Sequence, residues 1–154
     1  VAELAKARLS KQPIIMDKLI KAAVVEVRLL LLRRKISVSN NISKEQTLTG
    51  DTNPLRLLFK ALLLTAIANC DEGDKINIEC AEKESNLSFT LGTELGSDNC
   101  FFEAWRLGEL RLIASHDQGI ELAAIDAMAR MQGGYLSVCT KLDKYSGYRL
   151  TFAS

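Results

Sequence analysis

An excess of either sign of charge is missing from this sequence. Its 154 residues carry 20 Lys and Arg against 19 Asp and Glu, a formal net charge of +1, and neither half is strongly one-signed. Without a basic stripe there is no electrostatic footprint for nucleic acid or for an anionic membrane. Histidine occurs once, at His116, and the four cysteines, Cys70, Cys80, Cys100 and Cys139, form no CxxC pair. Spacing of that kind gives no zinc site, so buried free thiols in a reducing, cytoplasmic setting are expected. Long apolar runs are absent too. The most apolar stretch, 22–32, is interrupted by Glu26 and Arg28. It is far shorter than the roughly 20 residues that a bilayer requires, so no membrane contact by this domain is expected. No signal-peptide pattern opens the chain. A beginning at Val1 reads as part of something longer. Serines such as Ser97, Ser115 and Ser146 lie in no Gly-x-Ser-x-Gly context, which removes the case for a serine nucleophile.

What is present suits one folded domain. Apolar residues make up 47% and charged residues 25% of the chain, an average globular balance at a length able to bury a continuous core. Residues 1–13 have the composition of a short helix or connector that stops at Pro13, and 14–154 form the domain proper. Ile20, Ala23, Val24, Val27, Leu30 and Leu31 recur at helical spacing and predict one helix over 16–34. Two short edge strands follow, at 36–38 and 47–49, with Asn40-Asn41 as a turn. Asn53-Pro54 predicts a helix start, Asn as cap and Pro at the first position, running to about Asn69. Its interior is apolar nearly all round, which predicts a helix within the core.

Ile76, Ile78 and Cys80, then Leu87, Phe89 and Leu91, alternate with polar residues and predict a hairpin turning at 82–86. Residues 101–114 have enough periodic apolar residues for one or two short helices. From Gly119 a helix pattern runs to Met131, and Gly133-Gly134 supplies a left-handed stop. Residues 135–142 and 147–152 read as a closing hairpin. The fold class that follows is α/β: a two-layer sandwich whose mixed, mostly antiparallel sheet is covered on one face by helices.

Two segments carry a family resemblance. Residues 50–73, opening Gly50-Asp51 and closing Asp71-Glu72-Gly73, resemble the segment of sensor histidine kinases with a G-D-x-x-x-L opening, an asparagine-bearing helix and a P-E-G turn. Residues 117–134, from Asp117-Gln118-Gly119-Ile120 to Gly133-Gly134, followed by a strand and a terminal strand ending Arg149-Leu150-Thr151-Phe152, are similar to the family's G-x-G-L-G-L-A-I helix and H-G-G turn. The resemblance covers 14–154 in the correct order and implies the ATP-binding (Bergerat-type) domain of two-component signalling.

It also implies where such a site would lie, and most of its chemistry is replaced. The asparagines that hold Mg²⁺ and contact phosphate align with Ala61 and Thr65; Asn69 lies one turn on, either a displaced substitute or a helix-end cap. The aspartate that accepts from the adenine amino group aligns with Thr93, ahead of Gly96. Of the glycines that let backbone approach phosphate at a helix start, only Gly119 remains, while Asp117 and Glu121 stand at the other two. Two carboxylates beside a triphosphate would cost about 4 kcal/mol per like-charge pair at roughly 4 Å and an effective dielectric near 20. Alternatively, Asp117 is a helix cap and Glu121 a solvated first-turn acid.

The resemblance therefore implies a vestigial nucleotide pocket of Thr65, Asn69, Thr93, Gly96, Asp117 and Gly119. No catalytic residue and no metal ligand is assigned, and no cofactor is expected, with ATP and Mg²⁺ the ligands if the pocket still functions. Partners would be a signalling protein such as a response regulator or a kinase, and the resemblance leaves open a homodimer formed through a missing upstream region. His116, for which no carboxylate partner can be assigned, is expected as an exposed loop residue. Phe101, Phe102 and Trp105 form either an aromatic contact surface or a cover over the vacated pocket. The function implied is a pseudo-ATPase signalling through protein-protein contact. Alternatives are a divergent active histidine or serine kinase, including an anti-sigma-factor type, and a histidine phosphotransferase derived from a kinase.

Overall fold

The computed structural model describes residues 11–93, 102–105, 116–141 and 144–153. In chain order these form β1 (Gln12–Ile15), α1 (Met16–Glu26), α2 (Arg28–Arg34), β2 (Ser37–Asn40), β3 (Thr47–Gly50), α3 (Thr52–Ala68), β4 (Lys75–Lys83), β5 (Asn86–Gly92), β6 (Glu103–Ala104), α4 (His116–Met131), β7 (Gly134–Lys141) and β8 (Lys144–Ala153). Six strands make one sheet in the order β2-β4-β5-β8-β7-β6, and β1 with β3 makes a separate two-stranded ribbon. Among the described strand pairs only β2 and β4 are parallel. That pairing needs a crossover, which β3 and α3 supply. The predicted two-layer sandwich with a mixed, mostly antiparallel sheet is the architecture observed.

Strand alternation builds the inner face of the sheet. Leu87, Phe89 and Leu91 on β5 stand opposite Phe152, Leu150 and Tyr148 on β8, and Leu136 and Val138 on β7 stand opposite Leu150 and Tyr148. All are buried against the helices. Phe89 packs edge-on against Phe59 of α3 and against Phe152, with ring centroids 5.5 and 6.1 Å apart, the geometry favoured by aromatic quadrupoles. Gly134 is the partner of Phe152 across the β7–β8 ladder. A β-carbon there would lie 2.6 Å from both the Phe152 ring and the Thr151 carbonyl, so only glycine lets that ring seat.

Buried carboxylates and one guanidinium tie the helices down. Asp126 on α4 accepts from the Leu136 backbone N–H at 3.0 Å and from Arg130 Nε at 2.8 Å. Asp17 on α1 accepts from Asn40 Nδ2 at 3.1 Å and pairs with Lys21 at 3.0 Å. Arg34, at the end of α2, donates to the Ile67 carbonyl at 2.6 Å and to the Cys70 carbonyl. Both carbonyls lie at the C-terminal end of α3, where a cation is favourable. No helix among the described residues is long and apolar enough to cross a membrane.

Several local expectations are corrected. The helix expected over 16–34 is two helices, broken at Val27, whose φ of −109° and ψ of 9° are not helical. β1 begins at Gln12, inside the segment read as a connector, and pairs with β3. The strand read at 36–38 lies at Ser37–Asn40, so Asn40 is in the strand and not in a turn. The N-cap of α3 is Asp51, without a side-chain cap bond, and Pro54 is the third helical residue. This helix is not enclosed, since Leu57 and Leu64 are exposed. Within 101–114, read as one or two short helices, residues Glu103–Ala104 instead form β6 against β7, while 101 and 106–114 lie outside the described residues.

Candidate functional site

α3 places Ala61, Thr65 and Asn69 on successive turns of one face, because a helix brings i and i+4 together. Ala61 offers only a methyl group. Thr65 is 4% exposed, and its hydroxyl donates to the Ala61 carbonyl at 3.0 Å, a bond to its own helix that such side chains commonly make. Asn69 ends the helix as its C-cap residue, with φ −97° and ψ 0°. Its side-chain Nδ2 donates to the Thr65 carbonyl and to the Tyr148 hydroxyl, both at 2.9 Å. Tyr148 comes from β8 and is 2% exposed. Its ring rises from the sheet to the end of α3.

Thr93 follows β5, and its backbone N–H donates to the Ser146 carbonyl at 3.2 Å. Thr93 and Asn69 line one small cavity together with Cys70, Ile76, Ser146 and Tyr148, and Ala66 and Gly92 complete it. Its volume is about 10 Å³, at the lower limit for a single water. The Cys70 thiol at its wall is pushed up to about 11, first by burial and then by the nearby Asp74 carboxylate, with Arg34 opposing. It is neutral at physiological pH and no candidate nucleophile.

The structure thus brings Asn69 and Thr93 to one cavity, with Thr65 one turn away on the same helix. Asp117 and Gly119 lie in the first turn of α4, which starts at His116. His116 is therefore helical and not in a loop, and Asp117 lies at the second helical position and not at the N-cap; the side chains of both are outside the described residues. So is Gly96. Glu121 is exposed one turn further along α4. Among the aromatic residues, Trp105 is 6% exposed, within the core cluster, and its backbone N–H donates to the Leu136 carbonyl at 2.9 Å. Phe102 lies under Arg149, whose guanidinium carbon is 4.0 Å from the ring centroid, a cation–π contact. Phe101 is outside the described residues. Cys70 and Cys139 are buried, and Cys80 is half-buried. Among the described residues no three His, Cys, Asp or Glu side chains converge as a metal cluster would require.

Sequence reasoning missed Tyr148. Its alternation with Leu150 and Phe152 marks it as inward-facing, but its meeting with Asn69 spans 79 positions, and no local pattern carries that information.

No protein-family model matches the chain, and no curated protein matches it. Solved structures do. The histidine kinase AdeS of Acinetobacter baumannii superposes with a TM-score of 0.72 at 15% identity, over 98% of this chain and 71% of that one. The catalytic domain of histidine kinase ThkA gives 0.70 at 12% identity, over 94% of this chain and 97% of that one. The cytoplasmic segment of histidine kinase QseC gives 0.65 at 13% identity, over 94% and 79%. Likeness this distant in sequence and this complete in space establishes architecture: the chain has the fold of histidine kinase catalytic domains.

Proposed function

We propose that this domain belongs to two-component signalling in the cytoplasm and works as a pseudo-ATPase, keeping the kinase fold for contact with a response regulator or kinase. The observation that carries this reading is the hydrogen bond from Asn69 Nδ2 to the Tyr148 hydroxyl. A buried phenol occupies the space at the end of α3, and the asparagine that could substitute for the lost amides is turned toward it. Ala61 supplies no ligand atom, and Thr65 directs its hydroxyl to its own backbone. The Asp117 and Glu121 substitutions add charge repulsion toward a triphosphate. A second structure of ThkA is a complex with the response regulator TrrA, which supports the choice of partner class.

The test is thermal unfolding of the 154-residue chain with a non-hydrolysable ATP analogue at millimolar concentration, with and without Mg²⁺. A ligand present at 100 times its dissociation constant adds about 2.7 kcal/mol. At roughly 2–4 °C per kcal/mol in a domain of this size, the shift is easily read. We expect none. A magnesium-dependent rise would sink the pseudo-ATPase reading and turn attention to a divergent kinase in which Thr65, Asn69 and Thr93 act by altered geometry.

A further inference from the structure

We propose that the outer face of α1 and α2 is a docking ridge for an acidic amphipathic helix of a partner protein. Val25, Leu29 and Leu32 are 53%, 73% and 73% exposed. Their i, i+4, i+7 spacing sets them in one stripe, and exposed Ala22 extends it by a turn. The break at Val27 does not interrupt the stripe, because the Leu31 N–H still donates to the Val27 carbonyl at 3.1 Å. Ile20, Ala23, Val27 and Leu31 fill the opposite face of the same helices and are buried in the core. The exposed leucines are thus a second apolar face, and a clustered apolar face on a surface marks an interaction site.

The charges around the ridge identify its occupant. At 100° per residue, Lys21 and Arg28 fall along one flank, Arg33 along the other, and Lys18 at the leading end. Both carboxylates of these helices are already engaged. Asp17 is buried between Asn40 and Lys21. Glu26 receives Arg56 at 2.7 Å on both oxygens and has Lys60 at 3.9 Å; this pairing holds its carboxyl below the usual range. Lys18, Arg28 and Arg33 have no ion pair among the described residues. The complement is a helix with an aliphatic stripe flanked by Asp and Glu, a helix-packing mode of peptide recognition. A second copy of this chain would set cations against cations. A lipid surface fits less well, because the ridge is only about three turns long and has no aromatic anchor. None of these residues lines the cavity beside Asn69, so this inference stands whether or not the domain binds nucleotide.

The experiment titrates two synthetic amphipathic peptides into the isotope-labelled 154-residue chain, followed by amide NMR shifts. Both peptides carry the same leucine stripe; one is flanked by Glu and the other by Lys. The Glu peptide is expected to bind, with shifts centred on Val25, Leu29 and Leu32, and the Lys peptide to bind at least about tenfold more weakly, a difference near 1.4 kcal/mol. The double variant L29E/L32E should lose the Glu peptide, and R28E/R33E should reverse the order of the two. All four side chains are exposed, and circular dichroism verifies that the variants fold. Failure of the Glu peptide to bind, or an unchanged order with R28E/R33E, overturns the proposal. So does a dimer in sedimentation that L29E/L32E abolishes, or preferential cosedimentation with phosphatidylserine vesicles.

Discussion

Tyr148 closes space by size as well as by its hydroxyl. It stands on the inner face of β8 between Leu91 and Val138, and a smaller residue in the same register would leave a void beneath the end of α3. Burial acts on the thiols as well. Cys70 and Cys80 are each raised from 9.0 to about 11, by desolvation first and by Asp74 and Glu82 respectively second. A raised folded-state value means that the unfolded chain loses its thiol protons first, so the contribution to stability is complete below pH 9.0 and is lost as pH rises toward about 11. Urea midpoints should therefore fall across that window. The fall should be shallower in a Cys70→Ala/Cys80→Ala variant compared with its own neutral-pH midpoint. An identical slope in the variant would assign the alkaline loss to other groups.

At the scale of elements, Arg34 joins two helices that share no turn. Its guanidinium meets carbonyls at the end of α3 while its own residue closes α2. Arg34→Met keeps much of the apolar stem and leaves those acceptors without their cation. The expected loss is about 1–3 kcal/mol, read as a drop in melting temperature of roughly 2–4 °C per kcal/mol; no change would mean that water replaces the guanidinium at no cost. Elements with a strong local period were the legible ones. The β4–β5 hairpin and α3 each carry enough alternating or helical apolar positions to be assigned from sequence. The break at Val27 was hidden because Ala23, Val27 and Leu31 stay in helical phase across it. β1 was hidden because Pro13 reads as a helix stop, and its pairing partner β3 is some 35 residues away. β6 is two residues long, too short to show a period. In the site, the positions of Thr65, Asn69 and Thr93 followed from the family resemblance, whereas the phenol that meets Asn69 arises from tertiary packing.

For the molecule as a whole, β5 and β8 are the strands to watch. Each is paired along both sides, while β2 and β6 form the edges of the sheet and β1–β3 stands outside it. Opening the center exposes most of the apolar core, so hydrogen exchange there should approach the global unfolding limit. Amides of Phe89, Leu91 and Leu150 should be the slowest and those of β6 the fastest among the strands; protection highest in the β1–β3 ribbon would contradict this ordering.

The position of β8 also bears on how the protein is made. It is the latest of the described elements to leave the ribosome, yet it lies between β5 and β7. Until residues 144–153 emerge, the β4–β5 hairpin and β7 have no common neighbour, and each presents an open strand edge of the kind that pairs wrongly. Completion of the sheet must therefore await the end of this segment's synthesis. A nascent chain stalled shortly before it would be a natural client for chaperones.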